Sequence, residues 1–160
     1  ELAARLGRAV RLFLVGEFAY DPPAYARRCR EYCATRGLNN IIFIGRVPAA
    51  EKHGYFAAAD LYLCTSLFEG FYTPLVEAMR LGLPIVAYAA AAVPETLDGG
   101  GILVPPGDRA GLVDAMQRLL VDVNLRERLA ARQRELLATR YAATTITAAW
   151  EQLLATLDRS

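Results

Sequence analysis

Short apolar runs that do not alternate with polar residues recur along this chain, and stretches of helical periodicity separate them. The runs cover residues 11–16, 41–45, 60–65, 84–88 and 101–104. A strand with one wet face alternates apolar and polar side chains, so a continuous run belongs to a strand covered on both faces. The helical patterns fall near 22–36, 49–58, 74–82, 109–120, 123–138 and 142–157. A short helix is expected at 94–98, with Gly99, Gly100 and Gly101 forming the turn after it. Residues 1–7 read as the tail of a helix. This order predicts an α/β fold with a doubly wound parallel sheet, which takes its ligand at the carboxyl ends of the strands.

Size and composition narrow the choice. A chain of 160 residues is large enough to bury one core. Although 54% of residues are hydrophobic, no run approaches the roughly 18 residues of a membrane span without a charge or a turn. No transmembrane span and no signal peptide are therefore expected. A net charge of +1 argues against nonspecific nucleic-acid binding. Lys52 is the only lysine among 18 basic residues. With the alanine richness, that reads as a coding bias, not as an anion site. Arg27, Arg28, Arg30 and the arginines from Arg118 to Arg140 sit on polar helical faces and read as solvated surface. Cys29, Cys33 and Cys64 are odd in number and fit no zinc spacing; they read as buried or half-buried thiols in a reducing compartment. His53, the sole histidine, has no nearby nucleophile to serve and reads as a surface or capping residue. No Asp-x-Asp motif and no metal-ligand spacing occurs, so no metal is expected.

One segment carries chemistry. Glu69-Gly70-Phe71-Tyr72-Thr73-Pro74-Leu75-Val76-Glu77 follows the run that ends near Cys64. It reads as a turn and a helix opening at Thr73 or Pro74, since Thr is a competent N-cap and Pro suits the first helical position. Gly82 and Pro84 close that helix. A helix N-terminus offers N–H groups and partial positive charge to a phosphate. Glu69 lies just before the terminus and Glu77 about one turn inside it. A carboxylate has two acceptor oxygens and can receive both hydroxyls of a vicinal diol. The segment can therefore hold a diphosphate between two polyols, which describes a nucleotide sugar.

The stretch from Ser66 to Pro84, SLFEGFYTPLVEAMRLGLP, resembles the donor-binding signature of retaining GT-B-type glycosyltransferases (group 1, family 4-like). That pattern pairs two glutamates around Gly-Phe and Pro and ends in Glu-Ala-Met. Leu14-Val15-Gly16, Ile42-Phe43-Ile44-Gly45-Arg46-Val47, Tyr55-Phe56-Ala57-Ala58-Ala59-Asp60, Val93-Pro94-Glu95 and Gly101 to Asp108 are similar to the family's flanking segments, in order. The resemblance covers most of the chain. It implies a Rossmann-like sheet, the C-terminal, donor-binding half of a GT-B fold.

The resemblance also implies roles. Glu77 would bind the ribose hydroxyls. Glu69, the catalytic candidate, would meet the donor sugar's hydroxyls or the reacting face. Backbone N–H groups between Gly70 and Thr73 (Phe71 and Tyr72 included), with that of Leu75, would face the phosphates. Gly45, Arg46 and Val47 would form the base-binding loop, where Arg46 either stacks on the base or pairs with an acid. Tyr72 stands where the family often has a small residue, and Ala89, Ala91 and Ala92 stand where many members have Asp and Gly-Gly; these departures bear on the sugar. Glu95 reads as a helix-terminal acid in preference to a sugar contact.

The family's domain usually opens with one more, central strand and a Gly-Arg-x-x-x-x-Lys-Gly segment that meets the diphosphate. Neither is present, and Lys52 does not match. Residues 1–160 are thus expected to be an N-terminally truncated donor-binding domain without the acceptor-binding domain. The implied activity is a metal-independent, retaining hexosyl transfer in bacterial glycan or glycolipid synthesis, with the isolated piece inactive. The donor would be UDP- or GDP-linked, with no cofactor. The acceptor would be a glycan, a lipid-linked sugar or a small molecule. The expected location is the cytoplasm, with peripheral contact at the inner face of the membrane. A noncatalytic nucleotide-sugar-binding module is the other reading. A dinucleotide-dependent oxidoreductase is not supported, since Val15 to Tyr20 holds one glycine where Gly-x-Gly-x-x-Gly is needed.

Overall fold

The computed structural model describes residues 1–16 and 23–157. The start of the helix expected from residue 22, and most of the Val15–Tyr20 segment, lie outside the described residues. The chain divides into two compact units, Glu1–Ala58 and Ala59–Ser160.

The first unit carries α1 (Leu2–Leu6), β1 (Leu12–Val15), α2 (Pro23–Thr35), β2 (Ile41–Gly45) and α3 (Ala49–Ala58). β1 and β2 pair in parallel, with Leu12 opposite Ile41 and an irregularity between Leu14 and Val15. Asn40 secures the entry to β2: its carbonyl accepts the Leu12 N–H at 2.9 Å, and its Nδ2 donates to the Val10 carbonyl at 3.0 Å. Phe56 of α3 is buried, and Tyr55 lies against Phe13 with ring centroids 5.9 Å apart.

The second unit carries β3 (Tyr62–Cys64), α4 (Thr73–Arg80), β4 (Ile85–Tyr88), α5 (Val93–Leu97), β5 (Ile102–Val104), α6 (Arg109–Val121), α7 (Val123–Ala138) and α8 (Ala143–Leu157). Its sheet runs β3-β4-β5, all parallel. β4 is central and buried at all four positions, which accounts for its lack of alternation. Val86 and Tyr88 pack with Leu112, Ala115 and Leu119 of α6. Ile85 and Ala87 alternate to the opposite face. Leu75, Met79 and Leu97 on α4 and α5 are essentially inaccessible. A leucine buried in this way contributes about 1.5–3 kcal/mol.

All five expected strands and every expected helix are present, with ends moved by a residue or two. One feature differs from a single continuous sheet: the ladders come as two pieces, β1-β2 and β3-β4-β5.

Two local devices fix the second unit. The first closes α4. Gly82 (φ 63°) donates to the Met79 carbonyl at 2.9 Å, and the Leu83 N–H donates to the Ala78 carbonyl at 3.1 Å. This paired ending needs the left-handed conformation that glycine accepts without strain. The second involves Gly101, where a Cβ would stand 2.9 Å from the Ile85 carbonyl oxygen; only glycine lets the chain enter β5 this close to β4.

Gln133 is buried on α7, although its neighbours in sequence are polar. Its Nε2 donates to the Gly100 carbonyl at 2.7 Å and to the Leu83 carbonyl at 3.1 Å. The side chain thereby stitches α7 to the segments entering β4 and β5. Two aspartates cap the next helices in the manner expected of N-cap residues. Asp108 accepts from the Gly111 N–H at 2.8 Å to start α6, and Asp122 accepts from the Leu125 N–H at 2.8 Å to start α7.

Candidate functional site

The second unit's strands are parallel, so the loops after Cys64, Tyr88 and Val104 leave the same edge of the sheet. Two backbone bonds join them. Ala92 N–H donates to the Glu69 carbonyl at 3.3 Å, and Ala89 N–H donates to the Val104 carbonyl at 2.8 Å.

The loop from Thr65 to Tyr72 carries Glu69 to the start of α4. The cap position falls one residue earlier than the sequence suggests. Tyr72 (φ −82°, ψ 87°) is the N-cap, with no side-chain capping bond, and Thr73 is already helical with Pro74 behind it. The reason is local winding. Thr73 N–H donates to the Phe71 carbonyl and Leu75 N–H to the Tyr72 carbonyl, both at 3.0 Å. These two N–H groups, expected to face phosphates, are thus occupied by the chain itself. The N–H groups of Gly70, Phe71 and Tyr72 donate to no backbone carbonyl among the described residues. Leu75's side chain is fully buried in the core.

Glu69 and Glu77 are both half-buried. Glu77 sits between buried Val76 and Ala78, and its Oε2 is sealed from solvent. Tyr72 reports on both acids. Its hydroxyl lies 2.9 Å from that of Tyr62. Burial pushes the Tyr72 phenol above its ordinary pKa, the bond with Tyr62 draws it back, and the charges of Cys64, Glu69 and Glu77 push it up again. Burial and the neighbouring Tyr72 push Tyr62 up further. Cys64, at the end of β3, is buried, and burial raises its thiol. Both carboxylates therefore contribute to the electrostatics of the Tyr72 phenol, with burial the larger cause.

Phe71 is 64% exposed, with its ring 5.8 Å from that of Tyr141. Tyr141 in turn donates its hydroxyl to the Thr96 carbonyl at 2.8 Å. Glu95 pairs with Arg140 at 2.6 Å, in keeping with a helix-terminal role for this acid. Ala91 takes φ 47° in the turn before α5, a conformation that costs a residue with a Cβ about 1–2 kcal/mol.

Gly45, Arg46 and Val47 belong to the first unit, at the carboxyl end of β2. Gly45 (φ 86°) accepts the Gly16 N–H at 2.9 Å, Arg46 is exposed and Val47 half-buried. Tyr62 and Tyr141 escaped the sequence reading, and Arg140, read there as solvated surface, pairs with Glu95. The one signal was a tyrosine, Tyr62, in the strand before the motif and a second, Tyr72, within it.

Cys29 and Cys33 are half-buried, and His53 is exposed. Among the described residues no group of three or more His, Cys, Asp or Glu side chains could hold a metal ion, and no helix is long and apolar enough to cross a membrane. A shallow depression over Thr144, Thr145, Ala148, Ala149 and Gln152 is built from one helix alone, with no converging polar group from another element.

These features define a parallel α/β unit with two acids at one helix start. Residues 1–122 match the family model for glycosyl transferases group 1. The chain belongs to that family. It is 34% identical over 152 residues to an alpha-D-kanosaminyltransferase of Streptomyces kanamyceticus, covering 93% of this chain and 37% of that protein. It is 41% identical over 97 residues to a phosphatidyl-myo-inositol mannosyltransferase of Mycobacterium leprae, covering 59% and 26% respectively. Among solved structures, HepE of Anabaena in complex with UDP-glucose superposes with a TM-score of 0.80 at 26% identity, covering 92% of this chain and 41% of that one. The chain thus spans between a quarter and about two-fifths of the length of these relatives.

Proposed function

We propose that this chain is the donor-binding part of a retaining glycosyltransferase, which moves a hexose from a nucleoside diphosphate sugar to an acceptor in glycan or glycolipid synthesis. The observation that carries the reading is that two half-buried acids, Glu69 and Glu77, bracket the start of α4. In this reading Glu77 accepts the ribose hydroxyls and Glu69 faces the donor sugar. The Gly70, Phe71 and Tyr72 N–H groups meet the diphosphate and stabilise the charge that develops on it as it leaves. The transfer needs no metal, and neutralisation falls to N–H groups and to basic residues beyond those seen here. The structures of HepE contain UDP or UDP-glucose, and several relatives are mannosyltransferases, which supports a UDP- or GDP-linked donor. The relatives' greater length supports an acceptor-binding part outside these residues.

Calorimetry or ligand-detected NMR with UDP, GDP and ADP tests the reading. Binding of one diphosphate that weakens in Glu77→Ala is expected. Equal binding by wild type and Glu77→Ala overturns the assignment.

A further inference from the structure

Tyr72 occupies the N-cap of α4 without capping it. Its side chain instead reaches Tyr62, the first residue of β3, with the two hydroxyl oxygens 2.9 Å apart and both residues half-buried. The loop from Thr65 to Tyr72 holds the candidate site, and its far end is therefore moored to the strand that launches it. The other anchors are the Glu69 carbonyl, bonded to Ala92 N–H at 3.3 Å, and the Phe71 ring, 5.8 Å from Tyr141.

A phenol has one proton to donate and room to accept. Two hydroxyls in contact use one proton between them, so one proton remains for another oxygen. Burial holds both phenols neutral, and the nearby carboxylates act in the same direction. A neutral pair has no charge with which to repel a diphosphate, and it presents a donor beside two acids that present only acceptors.

We propose that Tyr62 and Tyr72 form a positioning pair for the nucleoside diphosphate sugar, with the Tyr62 hydroxyl donating to Tyr72 Oη and the Tyr72 proton left for an oxygen of the bound donor. The inference rests on the donor-site reading above and deepens it. In this proposal Tyr62 is a positioning residue, because its hydroxyl reaches the donor through Tyr72. Tyr72 serves both ways: it fixes the backbone of Gly70 and Phe71, and it supplies a hydrogen bond of its own.

The test uses Tyr62→Phe, Tyr72→Phe and the double variant in the protein at its natural length. Each substitution keeps the ring and removes one hydroxyl. Two quantities are read: affinity for the nucleoside diphosphate that the wild type binds best, and hydrogen exchange of the Gly70, Phe71 and Tyr72 amides without ligand. Loss of one net hydrogen bond weakens binding by about two- to tenfold. Tyr62→Phe is expected to fall in that range and to speed amide exchange in the loop. Tyr72→Phe is expected to weaken binding further, and the double variant to match Tyr72→Phe, since the contacts are coupled. A lower melting temperature in Tyr62→Phe, with affinity and loop exchange both unchanged, would reduce the pair to packing and overturn the proposal. Additive losses in the double variant would also overturn it. If the wild type binds no nucleoside diphosphate, the donor-site reading fails. Loop exchange then decides the mooring alone, and unchanged exchange in Tyr62→Phe sinks it.

Discussion

The Ala92 N–H donates to the Glu69 carbonyl at 3.3 Å, so the loop that leaves β3 and the turn that leaves β4 share a backbone bond. Glu69 is held by its main chain, and its carboxylate needs no part in that attachment. A substitution at Glu69 can remove the acid and leave the loop's course intact. Glu69→Gln is therefore expected to abolish sugar transfer in the natural full-length protein while changing its melting temperature little. A matching loss of folding in thermal denaturation would count against a chemical role.

Glu77→Ala is expected to weaken nucleoside diphosphate binding about tenfold or more, because a charged hydrogen bond to a ligand contributes roughly 1.5–3 kcal/mol. Circular dichroism should show the helices intact. Titration calorimetry on both proteins checks the difference, and equal affinities would remove Glu77 from the site.

Gln133→Leu is expected to destabilise the fold by about 2–4 kcal/mol. It strands two buried carbonyls, those of Gly100 and Leu83, at about 1–3 kcal/mol each. Urea denaturation measures the change, and a midpoint equal to wild type would show that α7 does not depend on this bond.

Ala91→Gly should leave stability unchanged or raise it by up to about 1 kcal/mol. It relieves a left-handed residue at φ 47°, worth about 1–2 kcal/mol, against the greater freedom of glycine in the unfolded chain. A clear loss of stability in denaturant titration would indicate that the Ala91 methyl packs usefully.

The tyrosine pair gives a pH prediction. Burial raises both phenols above the ordinary 10.0. A group whose folded pKa is raised contributes stability that is complete below its unfolded pKa and is lost as pH rises toward the folded value. The fold should therefore hold through neutral pH and lose this contribution above about pH 10. Tyrosinate absorbance should show Tyr62 and Tyr72 ionising only as the protein unfolds. Reversible titration of all eight tyrosines in the folded protein would contradict the burial.

Strand positions were legible because β4 is dry on both faces and reads as an unbroken apolar run. The ending of α4 was legible because Gly82 and Pro84 punctuate it locally. The cap was not. Thr73 looks like a cap by type, yet the turn is wound by its own N–H onto Phe71, and Tyr72 is held by a residue ten positions back. Gln133 hid for a similar reason: its partners lie 33 and 50 residues away, and nothing beside it in sequence marks it as buried. Arg132 and Arg140 were read as solvated, and both also hold α5 and the residue after it, through Asp98 and Glu95. Side-chain bonds across such separations depend on the finished fold, and local pattern carries no record of them.

α8 leaves Ile146, Trp150, Leu153, Leu154 and Leu157 exposed, with Trp150 at 60%. Trp150 is also the only tryptophan in the chain. The indole fluorescence of these 160 residues is therefore a one-residue signal from the surface of α8. Its emission should be red-shifted and readily quenched by iodide, which makes it an optical gauge of crowding or contact at that surface.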